Sequence, residues 1–480
     1  MMGIVTGRFR TRDIFLVALF LGLFGMAARN VLDPDVWWHL ETGRYMIEHK
    51  AVPHADPFSF TAAGQRWIAH EWLSELFIYG VYCVSGWVGL IVSFAAIVVA
   101  AFLVLYARCN ADPYVSGMLV LAGAMACAPL WGVRPQMISL LLASVWLWLL
   151  ERSEKNLKLL WWTLPLTVLW VNLHAGFALG PALIGLFIVG EGIERLAARR
   201  SLRDPRLGIL GAALIGCLAL VPINPNGAAM FSYPVETLRS KAMQTYIAEW
   251  ASPNFHRAEY FPFLFLLLAS VVALGWERDR IRWRELLLLM VTAFAGLSSI
   301  RMIPIFVLVA VPWLVRSIPI RIARHAHNFP RNAAAQVANA AILVAMAVFV
   351  GVHTARVIRQ QPAAEAATFP AGAVAYLESH PPTGPMFNAY DWGGYLIWKL
   401  YPATRVYIDG RADVYGPPLL EGFADTYQFR ANWLKTLEQW DIQTLLIPPS
   451  CALATGLRQS GDWQIVYEDH RAVIFGKFSR

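Results

Sequence analysis

The chain has 480 residues, of which 57% are hydrophobic and only 15% are charged, and its formal net charge is +8. Soluble proteins average about 45–50% apolar and about 25% charged residues, so this composition excludes a soluble globule of this size. The basic residues form short clusters between apolar runs instead of one patch, which argues against nucleic acid as a partner. The sequence therefore predicts a mainly α, polytopic membrane helix bundle.

Uncharged runs long enough to cross a bilayer, about 17–25 residues each, recur along most of the sequence and predict about eleven spans. The first run follows Arg8, Arg10 and Arg12 and lacks a small-residue cleavage site, so we expect it to remain as the first span. The predicted spans are 13–31, 86–107, 113–131, 135–150, 159–173, 177–194, 207–223, 260–276, 284–300, 303–318 and 334–352.

The basic clusters predict the orientation of these spans. If the N-terminus is cytoplasmic, nearly every cluster falls in a cytoplasmic connection, as the positive-inside rule requires. The polar motifs then collect in the opposite connections and after about residue 353, on the extracytoplasmic face. The clustered residues are Arg108, Arg152, Lys155, Lys158, Arg195, Arg199, Arg200, Arg203, Arg206, Arg278, Arg280, Arg282, Arg284, Arg316, Arg321, Arg324 and Arg331.

A large outward loop, residues 32–85, opens with two aspartates on either side of Pro34. Because proline favours an extended residue before it, Asp33 and Asp35 are expected to project to the same side. If a helix follows, His39 is four residues beyond Asp35 and can join it on one face. Such a group predicts either a divalent-cation site at Asp33 and Asp35 or a general base with a tuned pKa.

A structural explanation of the same segment stays open. Asp35 is also a good N-cap for the helix that follows, and Trp37 and Trp38 fit the aromatic belt at a membrane interface. We nevertheless take Asp33, Asp35 and His39 as the candidate catalytic residues, because together they favour a site more than any one does alone.

The rest of the loop supplies further polar candidates for substrate binding. These are Arg44, His54, Asp56, His70 and Glu71, although a proline turn explains His54 and Asp56 equally well. Residues 65–82 predict an amphipathic helix on the membrane surface, with an apolar stripe that could line a groove open to lipid.

Short outward connections after later spans add Arg134, Gln136, His174 and Arg301. Arginine can grip phosphate oxygens with two hydrogen bonds, so Arg134 and Arg301 suit a lipid-phosphate ligand. An arginine at the end of a span also commonly extends to lipid headgroups, and His174 could be a packing residue.

The tail changes in composition and predicts a small extracytoplasmic α/β domain over 362–480, distinct from the membrane domain 1–355. Its strand-like runs are RVYIDG, TLLIP, WQIVYED and RAVIFGK, with helices expected near 371–380 and 417–440. The Ala- and Pro-bearing segment RQQPAAEAATFPAG predicts the linker between the two domains.

Two segments carry a family resemblance. Residues Asp33 to Gly43 fit the pattern DPDxWWHxxTG, and Trp392 to Gly416 fit WGGYLIW…DGRxDxYG. Along its whole length the chain resembles multi-spanning bacterial proteins of the GT-C superfamily, to which protein mannosyltransferases (glycosyltransferase-39-like) also belong. Residues 388–416 are further similar in order to the WWDxG region of oligosaccharyltransferase catalytic subunits.

The resemblance implies an enzyme of the bacterial inner (plasma) membrane that moves a sugar from a polyprenyl-phosphate donor to an extracytoplasmic acceptor. The acceptor would be a glycan, lipid or protein. Asp33 or Asp35 would be the base, and Arg134 or Arg301 would hold the phosphate. In the C-terminal domain, the candidates for acceptor binding or for closing a metal site are Asp391, Asp409, Arg411 and Asp413. The resemblance allows a divalent cation, Mg²⁺ or Mn²⁺, as a cofactor but does not require one. The alternatives are a transporter or flippase of lipid-linked sugars and a non-catalytic envelope scaffold.

Overall fold

The computed structural model describes residues 11–276, 281–318 and 333–478. The basic residues Arg8, Arg10, Arg278, Arg280, Arg321, Arg324 and Arg331 lie outside these ranges. The described chain is mostly helical and divides into two compact units. Among the described residues, the helical unit comprises 11–29, 91–223 and 249–358, and the sheet unit comprises 30–90, 224–248 and 359–478.

In chain order the α-helices are α1 (Thr11–Ala27), α2 (Asp35–His49), α3 (Trp72–Cys109), α4 (Pro113–Cys127), α5 (Pro135–Arg152), α6 (Thr163–Leu173), α7 (Leu179–Ala197), α8 (Pro205–Leu220), α9 (Ala229–Arg239), α10 (Lys241–Tyr246), α11 (Phe261–Trp276), α12 (Trp283–Ser298), α13 (Ile303–Ser317), α14 (Ala333–Thr368), α15 (Ala371–Ser379), α16 (Gly393–Leu400), α17 (Ala412–Tyr427), α18 (Trp433–Gln439) and α19 (Ala452–Ser460).

Every apolar run predicted as a span overlaps a helix of the described chain. Within residues 11–276, 281–318 and 333–478, six helical segments are long and apolar enough to cross a bilayer. They are Trp72–Cys109, Pro113–Leu130, Ala175–Ala197, Ala258–Trp276, Ile300–Ser317 and Gln336–Thr368. The prediction of a membrane helix bundle with a small C-terminal α/β part is therefore confirmed.

Asp-Pro dipeptides start several of these elements for a shared physical reason. Asp112 and Asp204 each precede a proline at the first turn of a helix and accept two of its unpaired backbone N–H groups. Proline at that position loses no hydrogen bond, and the aspartate satisfies donors that would otherwise be unpaired. The same dipeptide at Asp56 makes a turn, in which its carboxylate accepts the N–H groups of Phe58 and Ser59.

Some of the basic residues that predicted the topology are buried in ion pairs within the helical unit. Arg108 is buried and donates two hydrogen bonds to Glu151, at 3.0 and 2.8 Å. Arg284 is also buried and pairs with Glu191 at 3.0 Å. These charges therefore hold helices together in addition to any effect on orientation, because a buried charge is tolerated only when it is paired.

The sheet unit is built on four strands, β1 (Met386–Asn388), β2 (Thr444–Ile447), β3 (Trp463–Glu468) and β4 (Val473–Lys477), in the order β1-β2-β4-β3. Strand β1 runs parallel to β2, with Met386 opposite Thr444, whereas β4 is antiparallel to both β2 and β3. The central residues of β2 and β4 are fully buried, and they form the core of this unit.

Local departures from the sequence prediction occur at three places. The amphipathic helix begins at Trp72, not at 65, and its buried side carries Ser74 and Glu75, while the apolar Phe77 is exposed. The run RVYIDG, predicted as a strand, does not form one. Val406 within it makes an isolated β-bridge with Ser59. Most of the predicted linker segment is helical, because α14 continues to Thr368 and accommodates Pro362.

Candidate active site

The opening motif forms the first turn of α2. Pro34 occupies the cap position and Asp35 is the first helical residue, so the structure does not use Asp35 as the N-cap. Instead, the Asp33 carboxylate accepts the backbone N–H of Asp35 at 2.9 Å. The Asp35 carboxylate accepts the indole N–H of Trp38 at 3.1 Å. Both carboxylates are partly exposed, whereas Trp38 is buried and does not belong to a membrane-interface belt.

The C-terminal motif packs directly on this turn through glycines. A Cβ atom at Gly394 would lie 2.5 Å from the carbonyl oxygen of Pro34, and one at Gly410 would overlap the Asp35 carboxylate. Neither glycine has a positive φ, so close approach and not a tight turn requires glycine here. The two motifs that carried the family resemblance are therefore parts of one surface within the sheet unit.

Asp391 contributes a third carboxylate to this surface. Partial desolvation, together with the negative charge of Asp33, raises the pKa of Asp391 above its ordinary value. The phenol of Tyr390 next to it donates to the carbonyl oxygen of Gly410 at 3.2 Å. The surface formed by Asp33, Asp35 and Asp391 is called the acidic surface below.

Arg411 lies inside the sheet unit and is 1% exposed. Its guanidinium donates to both carboxylate oxygens of Asp409, at 2.8 and 2.6 Å, and to Asp56 at 2.7 Å. Although burial opposes the charged form, the two carboxylates raise the pKa of Arg411 well above its ordinary value. Arg411 and Asp56 thus form a buried ion-pair network, which joins the first loop to the C-terminal segment.

His39 lies in a second cluster, deeper in the same unit. Its Nδ1 atom is 3.5 Å from Oε1 of Glu75 and 4.0 Å from Oε1 of Glu71. The potential ligand atoms of these three buried residues all lie within 4.8 Å of one another, so they could hold a metal ion. His70 is adjacent, with Nε2 3.7 Å from Glu71 and its ring packed against Tyr233.

The remaining first-loop candidates make local contacts. Arg44 pairs with Glu41 one turn earlier at 2.5 Å, and its guanidinium lies 4.9 Å from the centre of the Trp398 ring. His54 is exposed, and its backbone carbonyl accepts the N–H of Trp67.

Four candidates belong to the helical unit and make their contacts there. Arg134 pairs with Glu249, and Arg301 lies over the Trp250 ring at 4.6 Å. His174 exchanges a hydrogen bond with Ser139 at 2.8 Å and accepts the N–H of Gly176, as a helix-capping residue does. Gln136 is half-buried at the start of α5.

Sequence reasoning missed Glu75 as a partner of His39 and Gly410 as a neighbour of Asp35. Glu71 and Glu75 are four residues apart at the start of a helix, and that spacing is a usable signal. Nothing local to the sequence indicates the contact of Gly410 with Asp35, because the two are 375 positions apart in the chain.

Comparison with known proteins adds evidence at the level of the fold. No protein-family model and no curated protein matches the sequence. The structure is similar to the oligosaccharyltransferase AglB from Archaeoglobus fulgidus in complex with an inhibitory peptide and a dolichol-phosphate (TM-score 0.54, 10% identity, covering 91% of this chain and 69% of that one). An oligosaccharyltransferase from Archaeoglobus fulgidus in the apo form gives a TM-score of 0.53 at 11% identity, and the alignment covers 91% of this chain and 70% of that one.

A second similar structure is ArnT from Cupriavidus metallidurans bound to undecaprenyl phosphate. The TM-score is 0.50 at 13% identity, and the alignment covers 97% of each chain. The chain therefore shares a fold with AglB and ArnT, which is a GT-C-like membrane helix bundle with a small C-terminal α/β part.

Proposed function

We propose that the chain is a membrane glycosyltransferase, which transfers a sugar from a polyprenyl-phosphate donor to an acceptor outside the cytoplasm. The observation that carries the proposal is the acidic surface, which the two resemblance motifs build together on a GT-C fold. AglB was solved with a dolichol-phosphate and ArnT with undecaprenyl phosphate. Both lipids are polyprenyl phosphates, and this supports the same donor class here.

The accessible carboxylates are the candidates for chemistry. Asp56 and Asp409 are buried against Arg411, so their charges are already used in the fold. Asp33 and Asp35 are partly exposed, and Asp391 is exposed. A general base must reach the acceptor hydroxyl, and a buried, paired carboxylate cannot do so.

Between Asp33 and Asp35, Asp35 is the better base. Asp33 repeats the capping role of the other Asp-Pro dipeptides, because its carboxylate accepts the N–H of Asp35. The Asp35 carboxylate instead accepts a hydrogen bond from the Trp38 indole N–H, which orients it. The indole N–H does not titrate in the physiological range. In the proposed step, Asp35 takes the proton of the acceptor hydroxyl. The hydroxyl oxygen attacks the anomeric carbon at the same time, and polyprenyl phosphate leaves.

Arg134 and Arg301 both stay predicted partners of the phosphate, because a guanidinium can grip phosphate oxygens with two hydrogen bonds and neutralise their charge. Within the helical unit, Arg134 pairs with Glu249, and Arg301 lies over the Trp250 ring. Any divalent cation at Asp33 and Asp35 remains a separate prediction, and the proposed transfer does not depend on it.

The test compares Asp35→Asn with Asp33→Asn in a cell that lacks the gene. Mass spectrometry of glycans and glycolipids, with the wild-type chain as reference, identifies the product. We expect Asp35→Asn to lower product formation by about 10²–10⁴-fold, the usual contribution of a general base. Asp33→Asn retains more activity, since the asparagine oxygen can still accept the N–H of residue 35.

Asp425→Asn is the matched control, because that carboxylate lies in the sheet unit and pairs with Arg430 at 3.0 Å. Equal activity of Asp35→Asn and wild type would overturn the assignment of the base. An unchanged product profile with altered movement of polyprenyl-phosphate sugars across vesicles would favour the flippase alternative. An unchanged profile with loss of a co-purifying envelope protein would favour the scaffold.

A further inference from the structure

A buried cluster in the sheet unit lies apart from the residues assigned to chemistry. It consists of His39 on α2, Glu71 just before α3 and Glu75 in the first turn of α3, and it is called the His-Glu cluster below. These residues are 2%, 6% and 0% exposed, respectively. Two carboxylates side by side in such a place need a positive charge or protons, because isolated buried charges are strongly unfavourable.

No neighbouring cation in the described part of the chain compensates the Glu75 carboxylate through a hydrogen bond. Within the described part of the chain, neither carboxylate oxygen of Glu75 has a hydrogen-bond donor. Its nearest ion-pair contact is His39 Nδ1 at 3.5 Å, and a neutral imidazole carries no charge. Among the described residues of this unit, Arg411 is the buried cation, and it donates to Asp409 and Asp56.

We propose that the His-Glu cluster binds one divalent transition-metal cation, of which Zn²⁺ is the best match. The ligand atoms lie within 4.8 Å of one another. Bonds of about 2.0–2.2 Å to zinc place tetrahedral ligand atoms about 3.3–3.6 Å apart, so small side-chain rotations close the site. One imidazole nitrogen and two carboxylates favour Zn²⁺ or Mn²⁺ over Ca²⁺ and Mg²⁺, which prefer oxygen alone.

The cation has a structural consequence within the sheet unit. Helix α2 approaches α3 closely at Gly43, where a Cβ atom would lie 2.6 Å from the carbonyl oxygen of Glu75. His39 lies one turn before Gly43 on the same helix, so a cation at the cluster links the two helices beside their closest approach. The proposed cation site does not depend on the proposed glycosyl transfer. The metal content of the purified protein tests the site directly.

The experiment uses the untagged full-length chain, purified in detergent from cultures supplied with zinc and manganese. Inductively coupled plasma mass spectrometry should find about one equivalent of metal in the wild type and less than about a tenth of that in His39→Ala and Glu75→Gln. Glu41→Gln, which removes another buried carboxylate of α2, should keep its metal. Wild-type protein without stoichiometric metal, even after incubation with Zn²⁺ or Mn²⁺, would overturn the proposal.

A second measurement remains decisive if the cluster variants fold poorly. A chelator should lower the thermal midpoint of the wild type, and added Zn²⁺ should restore it, since a ligand that binds only the folded state stabilises it. Glu41→Gln should respond in the same way as the wild type. A midpoint that is unchanged by chelation, or equal metal content in wild type and both cluster variants, would also reject the site.

Discussion

Arg411 shows how one residue can be essential to the fold while the sequence presents it as a ligand. Its position in the DGRxDxYG segment suggested acceptor binding, but its guanidinium is enclosed by Asp409, Asp56 and the rings of Phe58 and Trp67. Removal of one member of such a buried group leaves the others as uncompensated charges. The expected role of Arg411 is therefore to hold the first loop on the C-terminal segment.

We expect Arg411→Ala to destabilise the protein by about 3–5 kcal/mol, the typical cost of breaking a buried ion pair. Thermal unfolding in detergent would record this as a clear fall in the midpoint. Arg458→Ala is the control, because Arg458 pairs with Glu468 on the surface, where such pairs contribute about 0–1 kcal/mol. Equal midpoints for the two variants would contradict the structural role of Arg411.

Asp413 predicts a dependence of stability on pH. Burial raises the pKa of Asp413 above its ordinary value of 3.8, even though its carboxylate accepts a hydrogen bond from the hydroxyl of Tyr233 at 3.2 Å. A raised folded-state pKa means that the folded protein binds the proton more tightly than the unfolded chain does. The stability contributed by Asp413 is therefore fully present below pH 3.8 and is lost as the pH rises through the folded-state pKa.

The variant Asp413→Asn should flatten the fall of the thermal midpoint as the pH rises from about 4 to about 7, because asparagine keeps the acceptor but does not titrate. Glu421→Gln, an exposed carboxylate on the same helix, is the control and should leave the profile of the wild type unchanged. A steeper fall in Asp413→Asn than in the wild type would show that the sign is wrong.

At the scale of elements, the first turn of α2 meets both the start of α16 and the segment before α17 without room for a side chain. Glycine at 394 and at 410 allows this approach, and at neither position is a left-handed backbone involved. The sequence correctly predicted α2 and the helices near 371–380 and 417–440. It could not predict this contact, since periodicity describes the faces of an element and not its partner.

Gly410→Ala should displace the Asp35 carboxylate, because the added methyl group would overlap it. If Asp35 is the base, we expect product formation to fall at least about tenfold, as small misplacements of catalytic groups commonly do. The glycan profile of complemented cells measures this loss. Gly422→Ala, where the nearest atom would be 3.4 Å away, is the control. Full activity of Gly410→Ala would separate Asp35 from the chemistry.

At the scale of the whole molecule, the apolar composition and the spacing of charged residues determine that the chain is a membrane protein. The chain has six long apolar helices among its described residues, and two shorter apolar ones. The positive-inside rule places its basic clusters in the cytoplasm and the acidic surface outside. This orientation is a prediction, and the proposed acceptor lies on the outer side.

Cysteine labelling checks the orientation. In a cysteine-free background, Ala63→Cys in the first loop should react with a membrane-impermeant maleimide in intact spheroplasts. Lys155→Cys, in a basic connection, should react only after permeabilisation and serves as the control. Labelling of residue 63 only in permeabilised cells would place the acidic surface in the cytoplasm and would contradict the proposed function.

The site was predictable only in part, and the reason is physical. Asp33, Asp35 and His39 stand out as polar groups beside an apolar run, a feature that a single sequence displays. Their partners do not stand out. Glu75 appears as the polar side of a surface helix, yet that side is buried and faces His39. Glu249, which balances Arg134, lies 115 residues away along the chain.

The sequence by itself determined the membrane helices, the small α/β tail and the acidic motif, because hydropathy and local spacing are properties of neighbouring residues. The tertiary structure alone decided which charges are buried. It enclosed Asp56 and Asp409 around Arg411, and it left Asp33 and Asp35 at a surface. The free energy of a polar group depends on its burial and on its partner, and both are decided by segments distant in the chain.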